Sequence, residues 1–376
     1  MKKIRLLKAT FAAVLTLSSF QAQALPFEAA CEPAQKTMVI GAVGDFLMHQ
    51  PLQIEGYRSR FENLWRGVQT RIDEVDLMYG NLETPVAQGV TMKRTVVNST
   101  AAVFDKNIYS GYPAFNVHEK LLEGIKTSGF DLLSTANNHS MDRGPIGVDK
   151  TIEALNRFGI PFSGTRKKGD KSSYTVFIRN QGFDLAFISC TFSLNGFADP
   201  HDQVLECFSE KSKLMAEIDE AKKRSDAVIV LPHWGQEYVN APGAQEVALG
   251  RELIERGALA VIATHPHVIQ PIRKHKANDG REGVIVFSTG NFISNQQGQK
   301  KVGLMAFLGL SQSGSRTWIN GVRYSPTYMG TAAQGLRFLD QTQAESTYSS
   351  LVSSVMKDKH GYLSSDEKLV TNPECD

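Results

Sequence analysis

The residues that could do chemistry in this chain stand just after apolar runs. TMVIGAV is followed by Gly44-Asp45, DLMY by Gly80-Asn81-Leu82-Glu83, and FDLLSTA by Asn137-Asn138-His139 with Asp142 close behind. DAVIVLP is followed by His233-Trp234-Gly235, and ALAVIAT by His265-Pro266-His267. Neither a helix nor a sheet needs carboxylates, amides and imidazoles at those points. Anionic oxygens from Asp45 and Glu83, neutral oxygens from Asn81 and Asn138, and nitrogens from His233, His265 and His267 make a mixed donor set. Such a set suits Mn, Fe or Zn rather than Ca. One or two divalent ions are expected. Pro266 stops the strand between the last two histidines, so a loop could aim both the same way.

Those five strand ends need a scaffold that gathers them. Apolar runs alternate with segments of helical period: VHEKLLEGIKTSG, PIGVDKTIEALNRFG, SEKSKLMAEIDEAKKRS and QEVALGRELIERG. Phe61, Leu64, Trp65, Val68, Ile72 and Val75 recur at three- and four-residue steps, which predicts one amphipathic helix. YTVFIRN and FDLAFISCTF, separated by Gln181-Gly182, predict a hairpin. The alternation predicts an α/β domain with a largely parallel core. In such sheets the carboxyl ends of the strands are where ligands sit. No low-complexity linker divides the chain, so one domain is expected, with a core over about 37–312 and a C-terminal extension over 313–376.

Composition narrows the function classes. The 376 residues are 41% hydrophobic and 21% charged, with a net charge of +2. That balance argues against nucleic acid as a partner. The first 24 residues read as a cleavable signal peptide: a basic start, a short apolar stretch over 9–20, then Ala22-Gln23-Ala24. The protein is therefore expected outside the cytoplasm, periplasmic or extracellular. Four cysteines suit an oxidising compartment. Of three pairings, Cys190–Cys207 and Cys31–Cys375 are favoured, with buried free thiols as the alternative.

The order of motifs resembles the CapA family of poly-γ-glutamate capsule proteins, in the metallophosphoesterase-like (calcineurin-like) superfamily. The likeness runs from about Met38 to Asn295 on GDFLMH, NLETPV, ANNHSMDRG with IGVDKTIEAL and GIPFSGT, HWGQEY, THPHVIQP and FSTGNF. The resemblance implies a four-layer αββα sandwich with mixed sheets and the site at the strand carboxyl ends. It implies metal roles for Asp45, for Glu83 with Asn81, for Asn138, and for His233, His265 and His267. It makes His139 the non-ligand histidine beside the scissile group, oriented by Asp142. Two departures stand out. Leu47 occupies the position of a superfamily histidine, with His49 two residues on and expected to point elsewhere, and Asn81-x-Glu83 replaces a bridging Asp.

Two functions follow as expectations. One is a metal-dependent hydrolase or transferase cleaving an amide, peptide or phosphoester bond of an anionic polymer or cell-envelope peptide, with capsule-synthesis membrane partners. The other is a non-catalytic accessory protein that holds an anionic polymer, suggested by Arg273-Lys274-His275-Lys276 with Lys93-Arg94 and Lys167-Lys168.

Overall fold

The apolar runs become strands because β-branched and aromatic residues fill them and their flanks supply turn residues. The computed structural model describes residues 25–99, 101–357, 361–373 and 375. The expected signal peptide lies outside the described residues. In chain order the first half holds β1 (Lys36–Phe46), α1 (Gln50–Ser59), α2 (Gln69–Asp73), β2 (Leu77–Asn81), α3 (Lys120–Thr127), β3 (Leu132–Ser134), α4 (Gly144–Phe158), β4 (Phe162–Ser163), β5 (Val176–Asn180) and β6 (Phe183–Thr191). There follow α5 (Lys211–Lys222), β7 (Ala227–His233), α6 (Ala244–Arg256), β8 (Ala260–Ile262), β9 (Ile269–Lys276), β10 (Glu282–Thr289), β11 (Asn291–Ile293), β12 (Val302–Ser313), β13 (Arg316–Met329), β14 (Leu336–Phe338) and α7 (Glu345–Met356).

Two mixed sheets result. The first runs β14-β13-β12-β1-β2-β3-β4, with β11 also paired to β1, and the second runs β5-β6-β7-β8-β10-β9. In each, a parallel core (β1 to β4, and β6, β7, β8, β10) is extended by antiparallel strands. The inner faces meet: Ile40, Leu77 and Leu132 of the first sheet share a core with Phe187, Leu231 and Val286 of the second. The outer face of the first sheet is covered by residues of α1, α3 and α4, and that of the second by α5 and α6. The layers are therefore α, β, β, α, as expected.

Alternation along each strand decides what faces which layer. Phe46 points outward into an aromatic cluster with Trp65, Phe130 and Phe292, at centroid distances of 5.5, 5.2 and 5.0 Å. Its neighbour Asp45 points the other way, towards the site. Truncating Phe46 to Ala would cost about 3–5 kcal/mol and loosen the strand end that carries Asp45. Gly80 makes room for it, since a Cβ there would stand 2.6 Å from the Phe46 ring.

Two expectations are corrected. The predicted helix over 61–75 is broken into a 3₁₀ turn at Phe61–Leu64 and the short α2. Gly67 bridges Arg337 of β14, and a Cβ there would meet the Leu336 carbonyl oxygen at 2.4 Å. Tertiary pairing overrides the helical period at that point, and Gly is already a weak helix former. Trp65 and Val68 stay buried without the helix. Last, Arg273–Lys276 is not a free basic patch. Lys274 pairs with Glu282 at 2.6 Å, His275 with Glu255 at 2.8 Å and Lys276 with Glu28 at 2.7 Å.

Gln181 and Gly182 both take positive φ, 47° and 77°, the type I′ geometry that closes a two-residue hairpin between β5 and β6. Both favoured disulfides are present. Cys31–Cys375 joins residues 344 apart and Cys190–Cys207 residues 17 apart. No helix of the described residues is long and apolar enough to cross a membrane.

Candidate metal centre

Five strand ends converge at one edge of the sandwich. Asp45 closes β1 and Asn81 closes β2, with their Cα positions paired across the sheet. The Asn81 amide donates to Asp45 Oδ1 at 2.8 Å and lies 3.2 Å from His233 Nδ1. His233 is the last residue of β7, so its ring crosses from the second sheet to meet the first. Its Nε2 stands 2.9 Å from Asn138 Oδ1 and its Nδ1 2.9 Å from Thr264 Oγ1. His265 Nδ1 is 3.1 Å from His233 Nε2. His267 Nδ1 is 3.1 Å from Asp45 Oδ2 and 3.0 Å from Asn291 Oδ1.

The loop after β8 is strained to bring both of its imidazoles inward. His265 and His267 adopt φ of 99° and 56°. Left-handed backbone on a non-glycine residue costs on the order of 1–3 kcal/mol and persists where surrounding structure enforces it. Gly44 allows an equally close approach on the other side. A Cβ on it would stand 1.7 Å from the Gly290 carbonyl oxygen, and the Asp45 N–H donates to that oxygen at 3.3 Å.

Glu83 is the centre's most informative residue. It is fully buried, yet neither carboxylate oxygen has a hydrogen-bond partner. Its Oε1 lies 3.4 Å from His233 Nε2 and 3.8 Å from His267 Nε2. Two donor groups share it: Asp45, Glu83 and His233, and Glu83, His265 and His267, with ligand atoms within 4.8 Å of one another in each. A buried, unpaired carboxylate is too costly to keep without a counter-charge. A divalent cation among these donors would satisfy it, so the residues present fit a metal.

Electrostatics of the metal-free site agree with that reading. Burial, then Asp45, pushes the Glu83 carboxyl well above its ordinary value. Burial pushes His233 down to about 3 and His265 well below the usual histidine range. Burial opposes the charge on His267 too, but Glu83 and Asp45 outweigh it and raise His267 to about 9. Burial would raise Asp45, but the hydrogen bond from His267, with that imidazole's charge and the Asn81 amide, holds it below the usual range. The site thus stores one proton on His267 and leaves the other two imidazoles neutral, as ligands must be.

His139 and Asp142 stand beside this cluster. His139 Nδ1 donates to Asp142 Oδ2 at 2.8 Å, and that oxygen also accepts the Phe115 N–H at 2.6 Å. Asn137 is not among the donors, because its Oδ1 accepts the His139 N–H at 3.1 Å while its Nδ2 donates to the Leu82 carbonyl at 2.8 Å.

Several neighbours were not legible from local sequence. Thr264 and Asn291 fix His233 and His267; Asn291 lies in the FSTGNF motif, but its contact with His267 depends on β11 folding back along β1. Asn195 touches Asn138 at 3.2 Å, and Phe192 covers His265 with ring centroids 4.5 Å apart. Leu47 is buried in place of a histidine. His49 does not join the donor cluster; its ring packs on Phe115 at 5.4 Å, and Phe115 packs on His139 at 4.7 Å. Trp234 does not wall the site. It faces the outer core of the second sheet, with Nε1 donating to the Phe287 carbonyl at 3.3 Å.

Residues 39–296 match the family model described as "Bacterial capsule synthesis protein PGA_cap". The chain is similar to "Capsule biosynthesis protein CapA" of Bacillus anthracis, 28% identical over 259 residues, covering 68% of this chain and 59% of that protein. It is also similar to "PGA biosynthesis protein CapA" of Bacillus subtilis (strain 168), 27% identical over 256 residues, covering 68% and 62%. The chain therefore spans 59–62% of the length of these relatives. Among solved structures, a calcineurin-like phosphoesterase YfkN from Bacillus subtilis aligns with a TM-score of 0.48 at 14% identity, covering 86% of this chain and 99% of that one. A 5'-nucleotidase precursor from Thermus thermophilus aligns at 0.47 and 13%, covering 85% and 59%.

Proposed function

The chain belongs to the bacterial capsule synthesis protein PGA_cap family, and from that premise we propose that it is an exported, metal-dependent hydrolase or transferase acting on an anionic cell-envelope polymer. The observation that carries the proposal is the orphaned carboxylate of Glu83, held among three imidazoles and beside the His139–Asp142 pair. Asp45, Glu83, His233, His265 and His267 would hold the metal, with Asn81 and Asn138 orienting them. When bound, the ion supplies Lewis-acid polarisation of a substrate oxygen and activates water.

The chain's own residues divide the rest of the work. Asp142 Oδ2 holds the Nδ1–H of His139, which fixes the ring's orientation and leaves Nε2 facing away from the carboxylate. Protonated His139 can then pass a proton from Nε2 to a leaving group. Phe115 stacks edge-on against that ring at 4.7 Å and limits its rotation. Export is supported by two disulfides, which persist in oxidising compartments.

Elemental analysis of protein purified without a metal-binding tag, run beside turnover assays on a model γ-linked amide and a model phosphoester, tests the reading. Bound divalent metal with metal-dependent turnover of either substrate is expected. Metal-free protein whose added Mn, Fe or Zn neither binds nor supports turnover would overturn it in favour of an accessory binding role.

A further inference from the structure

Among the described residues nine large apolar side chains are exposed, and they are not scattered. Five fall in one short stretch: Met92, Val96, Val97, Val103 and Tyr112, of which Val96 is 58%, Val103 60% and Tyr112 78% exposed. Phe197 joins them through Arg94, whose guanidinium lies 4.5 Å from its ring. Tyr238 and Val239 stand on the opposite lip, with the Tyr238 ring 6.1 Å from that of His267. A Cβ on Gly111, the neighbour of Tyr112, would stand 3.6 Å from His49 Cα; His49 Nδ1 accepts the Asn295 N–H at 3.4 Å, and Gln296 donates to the Tyr238 hydroxyl at 3.5 Å, so Tyr112 and Tyr238 border the same face. Exposed apolar groups gathered in one place mark an interaction surface.

The two ends of the stretch are anchored. Arg143 is fully buried, and its guanidinium donates to the carbonyls of Val90 and Ile108, both at 3.3 Å, and to Ser110 Oγ at 2.6 Å. Asn116 donates to the carbonyls of Ala87 and Ile108 at 2.9 and 2.8 Å. Because Arg143 follows Asp142 directly, the exposed lip and the His139–Asp142 pair share one anchor.

Charge selects the occupant. Between 91 and 112 the chain carries Lys93, Arg94 and Lys106 against Asp105, a net +2 within 22 residues, equal to the +2 of the whole chain. All three cations are exposed. Asp105 is exposed as well, and its Oδ1 accepts the N–H groups of Asn107, Ile108 and Tyr109 at 2.8–2.9 Å, which leaves the three cations in excess. On the facing lip Lys300 lies 4.4 Å from the Tyr238 ring. A second copy of the chain docked face to face would set these cations against each other. Separate exposed apolar side chains suit a deformable partner, and rings topped by cations suit the headgroup layer of a bilayer.

We propose that this face docks on an anionic lipid surface, with the apolar tips of 92–112 and Tyr238 inserted and the metal centre opening towards the bilayer. The proposal stands whether or not the metal centre turns over a substrate. It is tested on the chain beginning at Leu25, which contains every described element and lacks the apolar stretch at 9–20 that would itself seek a membrane. Flotation with phosphatidylcholine vesicles, with and without phosphatidylglycerol, should show binding that requires the anionic lipid and weakens with salt. At about fivefold per cation, Lys93→Gln with Arg94→Gln should weaken binding roughly 25-fold. Val96→Asn with Val97→Asn should weaken it roughly tenfold. Lys223→Gln, in an exposed residue after α5, should leave it unchanged. Three results would overturn the proposal: no binding to anionic vesicles, equal loss in Lys223→Gln, or self-association of the chain that the valine substitutions abolish.

Discussion

The two ends of the sandwich handle charge in opposite ways. At the amino ends of the strands, charges are exposed and neutralised locally: Lys276 meets Glu28, Lys274 meets Glu282, and Arg316 meets Glu32. A disulfide between Cys31 and Cys375 closes that end. At the carboxyl ends, Asp45, Glu83, His233, His265 and His267 are buried, Glu83 lacks any hydrogen-bond partner, and two histidines hold left-handed backbone. The first end is complete as protein. The second needs something the chain does not supply, and the difference identifies the functional edge more firmly than any one motif.

The comparison can be broken at either end. Replacing Cys31 and Cys375 with Ser should cost the most stability, about 6 kcal/mol on the loop-entropy scale, with metal content unchanged. Denaturant melts beside elemental analysis would read this, and a parallel loss of metal would mean that the two ends are coupled. His139→Asn should lower turnover by roughly 10²–10⁴ while keeping the metal, as expected of a placed proton donor. Equal loss of metal would make His139 a ligand, and unchanged turnover would remove its role.

His265→Ala should weaken metal affinity by more than the ~10–100-fold typical of groups that merely orient ligands. Full occupancy in that variant would exclude His265 from the site. A smaller effect concerns pH. His267 has its folded pKa raised to about 9, so its contribution is present below the unfolded value near 6.5 and is lost as pH rises through about 9. Metal-free protein should therefore lose stability across that window, by at most about 3 kcal/mol. Metal-loaded protein should not follow it, because binding requires the deprotonated ligands. Thermal melts of both forms between those pH values would decide; identical profiles would mean that the metal does not contact His267. Least of all, Lys276→Gln should leave both melting temperature and metal content unchanged, since its ion pair is exposed. A measurable fall in either would contradict the picture of a self-sufficient amino end.

Much of the site was legible because its residues break a rule. Asp, Glu, Asn and His directly after buried strands have no role in sheet formation, so Asp45, Asn81, Glu83, Asn138, His233, His265 and His267 could be named from their places alone. Positions outside that pattern were harder to read. The periodicity at Phe61–Val75 was true of burial but not of helix, because β14 reaches Gly67 from a distant part of the chain. Arg273–Lys276 looked like a binding patch only because its acidic partners, Glu28, Glu255 and Glu282, are remote in sequence or on another element.

By itself the sequence determined the strands that lead to the site, that their carboxyl ends carry side chains of metal-ligating type, and the family to which the chain belongs. Period-2 burial and turn residues act over a few residues, so they survive in one dimension. Only the tertiary structure decided that Glu83 would have no hydrogen-bond partner, that Asn291 and Thr264 would steady the imidazoles, and that Phe197 would meet Arg94 beside the exposed apolar residues of 92–112. Those outcomes depend on which distant groups arrive within about 3 Å, the range over which a hydrogen bond is made, and no local pattern records a contact between chain segments that meet only when the two sheets close.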